Sequence, residues 1–273
     1  MKKIFATAIL MMAMLLVPKH AGAAITDTLN VKSKSMDRDI KVLCISPENT
    51  EGKWRYPVIY LLHGHGGFWG SWAIIKPELK DYADKFGVIF VCPDGQNSWY
   101  WDSPVDPSYK FETFVSKELV EYIDSSYKTL ADRKYRAITG LSMGGHGALW
   151  NAIRHKDVFG AAGSTSGGLD FRPWPESWSI SDRLGSYKKN KKVWDEHTVI
   201  NLIDDNLENG DLDIIIDCGT EDFFSGITDN VHNKLMKKGI QHDFIKRPGV
   251  HNLKYWNNSI DYQIMFFLKS FAK

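Results

Sequence analysis

The chain has 273 residues, of which 43% are hydrophobic and 25% are charged, and its formal net charge is +1. This composition is sufficient for one large α/β domain with a sizeable core, and it is not typical of a disordered chain. The near-neutral charge provides no basic surface for nucleic acid, and the lysine-rich stretch 188–192 is interpreted as a solvated segment.

Residues 1–23 have the pattern of a secretion signal. Lys2 and Lys3 precede an apolar run over 4–17, and Ala21-Gly22-Ala23 is a small-residue cleavage pattern. The run is too short to cross a bilayer, and it lacks the polar face of an ordinary amphipathic helix. We therefore expect Sec-type export and a mature domain over 24–273 in the periplasm or outside the cell. Because the segment carries three lysines and no acid, its removal changes the net charge from +1 to −2.

Apolar strand-like runs alternate with helical patterns along the rest of the chain. Strands are predicted at 39–45, 58–62, 88–92, 135–139, 161–165, 212–218 and 242–246. Helices are predicted at 114–127, 145–155, 230–238 and 259–271. The central strands are apolar on both faces, which predicts a mostly parallel sheet covered by helices on each side. The looser pattern over 167–210 is interpreted as an insertion over one end of this sheet.

Three cysteines, Cys44, Cys92 and Cys218, lie within strand-like apolar segments. An odd number of buried thiols is not a disulfide framework. We expect three free and unreactive thiols.

Ser142 lies in the stretch ITGLSMGGHGA (138–148), between an apolar run and a helix-forming one. Its surroundings match G-x-S-x-G, in which a serine occupies a tight turn from a strand into a helix. The helix then points its N-terminal amides at the serine. A glycine-rich turn of this kind could instead cradle a phosphate, but no P-loop lysine follows and the G-x-G-x-x-G spacing is absent. Ser142 is therefore the candidate nucleophile.

A serine hydroxyl needs a neighbouring base to accept its proton during attack. His251 is the best candidate, because it follows the last predicted strand and the chain order on such a fold is serine, acid, histidine. His232 and His242 are rivals, but they fall within a predicted helix and at the start of a strand, where a structural role is the simpler interpretation.

The acid that orients the histidine is expected directly after the strand 212–218. Asp222 is the first choice and Glu221 the second. Asp217 is placed within the strand itself, where its carboxylate could cap a neighbouring loop.

An oxyanion hole requires amide donors aimed at the oxygen on which negative charge develops. The backbone amide of Met143, directly after the serine, is one candidate donor. The loop 62–67 (LHGHGG) should supply the other, with the His65 amide preferred and Gly66 next. His63 and His65 could instead chelate a metal, but no further clustered ligands accompany them. We therefore interpret the glycines of this loop as residues that allow the backbone to approach a substrate closely, and we expect no metal.

Together these motifs resemble the esterase D-like branch of the α/β-hydrolase superfamily, which includes feruloyl esterases, tributyrin-type esterases, S-formylglutathione hydrolases and mycolyltransferases. The resemblance runs from 57–64 through 135–147 and 219–223 to 249–252, with Tyr255-Trp256 after it. It implies an α/β-hydrolase fold, with Ser142 as nucleophile, Asp222 as acid and His251 as base. It also implies that no cofactor or metal is needed.

Within this family, an export signal argues against S-formylglutathione hydrolase, which serves a cytosolic thiol. Aromatic residues near the predicted mouth indicate a sugar or aromatic acyl group, so feruloyl or acetyl esters of a plant polysaccharide such as xylan are the expected substrates. Trp69, Trp101 and Trp174 are the candidate substrate-binding residues, although such rings could equally pack the insertion onto the sheet. An acyltransferase and a catalytically silent carbohydrate-binding module are the alternatives. No nucleic-acid partner and no stable membrane insertion are expected.

Overall fold

The computed structural model describes residues 23–48 and 52–273, so the predicted signal segment, apart from Ala23, lies outside the described residues. Within them, eight strands form one sheet in the order β1-β2-β4-β3-β5-β6-β7-β8. The strands are β1 (Ile25–Ser33), β2 (Arg38–Ser46), β3 (Val58–Leu62), β4 (Ile89–Pro93), β5 (Arg136–Gly140), β6 (Ala161–Thr165), β7 (Asp213–Gly219) and β8 (Asp243–Arg247). β2 pairs antiparallel with β1 and β4, and the other pairs are parallel. The predicted mostly parallel sheet is confirmed.

Ten α-helices are described in the same part of the chain. They are α1 (Ser71–Ile75), α2 (Leu79–Phe86), α3 (Phe111–Thr113), α4 (Leu119–Ser126), α5 (Met143–Arg154), α6 (Ile180–Leu184), α7 (Lys191–Glu196), α8 (Val199–Asn206), α9 (Ser225–Lys237) and α10 (Leu253–Phe271). A π-helical turn (Phe114–Glu118) joins α3 to α4, and a 3₁₀ turn (Arg133–Tyr135) precedes β5. None of the helices in this described part has both the length and the apolar character needed to cross a membrane.

Both faces of the sheet are covered, which explains why its central strands are apolar throughout. Along β3, Tyr60 and Leu62 belong to one hydrophobic cluster, whereas Ile59 and Leu61 belong to the other. Side chains alternate between the faces of a strand, so each face of β3 needs its own apolar cover. The first cluster includes residues of α4, α5 and α9, and the second includes residues of α1, α2 and α10.

The insertion predicted over 167–210 contains α6, α7 and α8. It packs on α5 through α8. It is also bonded to the loop that follows β4, where the Trp99 indole donates to the carbonyl of Trp178 in the insertion at 3.0 Å. The Lys234 ammonium of α9 also donates to the carbonyl of Ile200 at 2.6 Å. The insertion is therefore bound to the main body at several points.

Candidate active site

The strand register brings four loops to one edge of the sheet. Leu62 of β3 lies opposite Gly140 of β5, and Gly219 of β7 lies opposite Arg247 of β8. Since these strands are parallel, the loops that leave their carboxyl ends emerge together. This places the loop after β3, the turn at Ser142, the loop after β7 and the loop before α10 around one site.

Ser142 occupies a strained turn between β5 and α5. Its φ is 55° and its ψ is −118°, a combination that costs roughly 1–3 kcal/mol for a residue with a side chain. The turn is compact, because a Cβ atom on Gly140 would lie 2.5 Å from the Gly144 carbonyl carbon, and one on Gly144 would lie 2.3 Å from the Leu62 carbonyl oxygen. The Ser142 amide donates to the Thr165 carbonyl at 2.9 Å, which fixes the turn against β6. Glycine is thus required at both flanking positions for the serine to stand at the strand end.

A chain of two hydrogen bonds joins the serine, a histidine and an acid. Ser142 Oγ lies 3.0 Å from His251 Nε2, and His251 Nδ1 lies 2.9 Å from Asp222 Oδ2. The Asp222 carboxylate is fully buried, and its other oxygen accepts the Phe224 amide at 2.8 Å. With Nδ1–H donated to the carboxylate, Nε2 faces the hydroxyl as an acceptor. This arrangement can withdraw a proton from the serine and stabilise the imidazolium that results.

The alternative residues lie elsewhere or have other partners. Glu221 is exposed, whereas Asp217 is buried within β7 and forms an ion pair with Arg247 at 2.8 Å. Burial raises the pKa of the Asp217 carboxyl despite this cation. His232 and His242 bond to each other at 2.8 Å. None of these side chains is part of the hydrogen-bonded chain at Ser142.

The loop after β3 lies against the serine. A Cβ atom on Gly64 would be 3.3 Å from the Ser142 Cβ, so this backbone passes within contact distance of the hydroxyl-bearing carbon. The Gly66 amide is already used, because it donates to Asn97 Oδ1 at 2.9 Å. In the described part of the chain, the amides of His65 and Met143 donate to no protein acceptor. These two amides are therefore available to a substrate oxygen, whereas Gly66, the second choice from the sequence, is not.

The two histidines of this loop have separate surroundings. His63 Nε2 accepts the Gly95 amide at 2.8 Å, so its Nδ1 carries the proton and donates to the Gly64 carbonyl at 2.8 Å. Both ring nitrogens of His63 are thus occupied by the backbone. Burial, assisted by the neighbouring His63, lowers the pKa of His65. Within residues 23–48 and 52–273, no group of three or more His, Cys, Asp or Glu side chains is placed to hold a metal ion.

A cleft of about 530 Å³, the serine cleft, opens beside Ser142. It is lined by Gly64, His65, Gly66, Gly67, Ser71, Ile74, Ile75, Leu141, Ser142, Trp178, Phe223, His251, Leu253 and Trp256. The ring centroid of His251 lies 4.3 Å from that of Phe223 and 5.0 Å from that of Trp256. Trp178 stacks on Phe223 at 5.8 Å. These rings give the cleft an apolar wall and shield the imidazole from water.

Of the three predicted substrate-binding aromatics, the structure contradicts Trp101, whereas Trp69 and Trp174 are half-buried and stay predictions. Trp101 is 0% exposed and donates its indole N–H inward to His146 Nε2 at 2.9 Å, so it cannot touch a substrate. Trp69 packs on the second hydrophobic cluster, and Trp174 packs behind Trp178 at 5.7 Å. Neither ring is among those that line the serine cleft.

Phe223 and Trp256 line the cleft instead, and sequence analysis did not select them. Phe223 directly follows Asp222, and Trp256 lies one turn after the Asn252 cap of α10. Their proximity in sequence to the acid and to His251 was an available signal. Because the sequence contains many aromatic residues, it gave no way to rank Phe223 and Trp256 above a buried ring such as Trp101.

Comparison with known proteins identifies the family of the chain. A model of the Esterase family matches residues 33–267. The chain belongs to this esterase family of the α/β-hydrolase superfamily. The predicted fold and family are confirmed, and carboxylic ester hydrolysis is the activity that membership supports.

Three similar proteins illustrate the range of the family. The acetyl esterase of Caldicellulosiruptor saccharolyticus is 26% identical over 251 residues, which cover 85% of this chain and 94% of that protein. A solved ferulic acid esterase is 27% identical with a TM-score of 0.77, covering 92% of this chain and 98% of its own. The diacylglycerol acyltransferase/mycolyltransferase Ag85A of Mycobacterium leprae (strain TN) is 39% identical over 153 residues. That match covers 52% of this chain and 44% of the acyltransferase.

Proposed function

We propose that the chain is a serine esterase that cleaves its substrate through a covalent acyl-enzyme. The observation that carries this proposal is the hydrogen-bonded chain from Ser142 through His251 to buried Asp222, at 3.0 and 2.9 Å. A hydroxyl, an imidazole and a carboxylate in this order form the minimal set for nucleophilic acyl transfer. The proposed chemistry uses these side chains together with backbone amides that stabilise the oxyanion.

In the first step, Ser142 Oγ attacks the ester carbonyl carbon while His251 Nε2 accepts the hydroxyl proton. The carbonyl oxygen becomes an oxyanion, to which the His65 and Met143 amides are proposed to donate. His251 then returns the proton to the alcohol oxygen, and the bond between the carbonyl carbon and that oxygen breaks. Water then attacks the acyl carbon while the same imidazole accepts its proton; the bond from that carbon to Ser142 Oγ breaks, His251 returns the proton to Oγ, and the acid is released.

Replacement of Ser142 by alanine tests the nucleophile. Because Ser142→Ala removes one hydroxyl and leaves the backbone turn intact, kcat on 4-nitrophenyl acetate should fall roughly 10⁴- to 10⁶-fold. Ser71→Ala is the matched control, since Ser71 lines the same cleft and its hydroxyl accepts the Phe68 amide at 2.9 Å, outside the hydrogen-bonded chain at Ser142. A fluorophosphonate probe should label the Ser71→Ala variant and fail to label Ser142→Ala. Undiminished hydrolysis by Ser142→Ala would reject the mechanism, and a wild-type chain that is not labelled would favour a silent binding module.

The proposed substrate is a feruloyl or acetyl ester of a plant polysaccharide such as xylan. The apolar rings of Trp178, Phe223 and Trp256 in the serine cleft are compatible with an aromatic or short acyl group. The similarity to an acetyl esterase and to a ferulic acid esterase supports the same class of ester. Turnover of methyl ferulate, acetylated xylan and short nitrophenyl esters would rank these acyl groups.

The proposed location is periplasmic or extracellular. This proposal depends on residues 1–23, whose charged start, apolar run and small-residue end are typical of a signal cleaved after export. N-terminal sequencing of the protein recovered from the culture medium or periplasm should begin near Ala24.

An acyltransferase is the second candidate function, and the 39% identity to a mycolyltransferase over 153 residues favours it. The two activities share the acyl-enzyme and differ only in whether water or another alcohol accepts the acyl group. Hydrolysis in the presence of an added sugar distinguishes them, because a transferase would form acylated sugar faster than free acid.

A further inference from the structure

A second, polar cleft of about 420 Å³ adjoins the serine cleft. Gly66 and Gly67 line both clefts. Trp178 lines the serine cleft, and the next residue, Ser179, lines the polar one. His65 Nε2 lies 3.5 Å from Ser179 Oγ, so the loop after β3 and the insertion meet at the boundary between the two clefts.

The lining of the polar cleft is the opposite of the apolar wall beside Ser142. Apart from the Tyr109 ring, on which the Arg183 guanidinium packs at 3.6 Å, its side chains are carboxylate, amide, hydroxyl and guanidinium groups, contributed by Asp94, Gln96, Asn97, Ser179, Asp182 and Arg183. A hydrocarbon chain would displace water from polar atoms that have no protein partner within residues 23–48 and 52–273, such as the Asp182 carboxylate, and is disfavoured there. A group that both donates and accepts hydrogen bonds would satisfy them.

The charge of the polar cleft selects among polar ligands. The Arg183 guanidinium is already paired with Asp106 at 2.9 Å, so it does not leave an uncompensated positive charge. Asp94 and Asp182 contribute two carboxylates, and among the described residues no protein group donates to the Asp182 carboxylate. An anionic ligand would be repelled, whereas neutral hydroxyl groups can donate to both acids.

The polar cleft is also built in advance of any ligand. The Asn97 side chain is held by the Gly66 amide at 2.9 Å, and the Arg183 carbonyl accepts the Ser103 hydroxyl at 2.6 Å. The ordering of Asn97 and of the Arg183 backbone is therefore not a cost of binding.

We propose that the polar cleft binds the sugar ring that carries the ester, while the serine cleft binds the acyl group. This inference rests on the proposed esterase function, and it assigns separate sites to the two halves of the substrate. The ester bond lies at Ser142, and the sugar extends past Gly66 and Gly67 into the polar cleft.

Two acetyl esters that differ only in their alcohol test the assignment. Acetylated xylotetraose and 4-nitrophenyl acetate form the same acetyl-enzyme, but only the first carries a sugar. Replacing Asp182 and Gln96 together by alanine removes two of the polar groups without touching the hydrogen-bonded chain at Ser142. We expect kcat/KM for acetylated xylotetraose to fall about tenfold or more, with kcat/KM for 4-nitrophenyl acetate within twofold of wild type.

Asp205→Ala is the matched control, because Asp205 is an exposed acid that lines a separate polar cavity of about 600 Å³. It should leave both esters unaffected. As a readout independent of turnover, the Kd of unacetylated xylotetraose for Ser142→Ala should rise about tenfold when the two alanines are added.

An equal loss on both esters, or no loss on either, would overturn the proposed sugar site, as would an unchanged Kd. Failure of wild type to hydrolyse 4-nitrophenyl acetate would instead reject the esterase function itself. The two proposals therefore fail by different observations.

Discussion

Protonation of His146 is expected to destabilise the fold, because both nitrogens of this buried imidazole are already committed. Its Nε2 lies 2.9 Å from Trp101 Nε1, and a tryptophan indole can only donate, so Nε2 must be the acceptor. Nδ1 therefore carries the proton and donates to the Gly168 carbonyl at 3.0 Å. A second proton on Nε2 would point at the indole N–H and replace a hydrogen bond with a repulsion.

The size of the effect follows from the pKa of His146. Burial lowers it from 6.5 to about 3, although the Gly168 carbonyl acts in the opposite direction. Between these values the unfolded chain binds the extra proton and the folded chain does not, so stability falls as the pH falls from 6.5 towards 3. With ~1.36 kcal/mol for each pH unit, the contribution to the free energy of unfolding decreases by about 2 kcal/mol between pH 7 and pH 5.

Urea unfolding of wild type and His146→Gln at both pH values measures this contribution. Glutamine is neutral throughout the range and can still accept a hydrogen bond, and all other titrating groups are shared by the two proteins. The free energy of unfolding of wild type should therefore decrease by about 2 kcal/mol more than that of the variant. Equal decreases in the two proteins would refute the assigned tautomer and the lowered pKa.

Two further outcomes are expected. Asp222→Asn should lower kcat on 4-nitrophenyl acetate roughly 10²- to 10⁴-fold, because an amide no longer favours the required tautomer and charge of the His251 imidazole. Glu221→Gln, at the exposed neighbouring acid, is the control and should keep kcat within a few-fold of wild type. A larger loss for Glu221→Gln than for Asp222→Asn would show that the acid is wrongly assigned. Ellman's reagent should modify none of Cys44, Cys92 and Cys218 in the native protein and all three after unfolding. The reason is that all three thiols are free and buried, and burial raises the pKa of each. Rapid reaction of any one thiol before unfolding would contradict its buried placement.

The strands were predicted more accurately than the helices. The predicted strand 58–62 coincides with β3, because five consecutive apolar residues between Pro57 and His63 leave little choice of bounds. β1 was missed, since it pairs only with β2 at the edge of the sheet and many of its residues are polar and exposed. The last helix begins at Leu253 and not at the predicted 259, because the Asn252 side chain caps it by accepting the Tyr255 amide. That cap was a readable signal that periodicity alone overlooked.

The site shows the same division between local and tertiary information. The positions of Ser142, Asp222 and His251 at strand ends were predicted from spacing and order, and the structure brings all three within hydrogen-bonding distance. The glycines around Ser142 encode a local turn, which depends little on distant residues. The catalytic roles of Ser142, Asp222 and His251 remain predictions, which the experiments above test.

The amino-acid sequence by itself determined the class of fold and the strand ends at which chemistry could take place, because apolar periodicity and glycine spacing act over a few neighbouring residues. Only the tertiary structure decided which aromatic rings line the cleft beside Ser142. Trp101 and Trp178 are chemically identical, yet Trp101 is sealed against His146 whereas Trp178 lines the cleft at Ser142. The burial of a ring depends on which distant segments pack over it, and that information is not contained in its own neighbourhood of the chain.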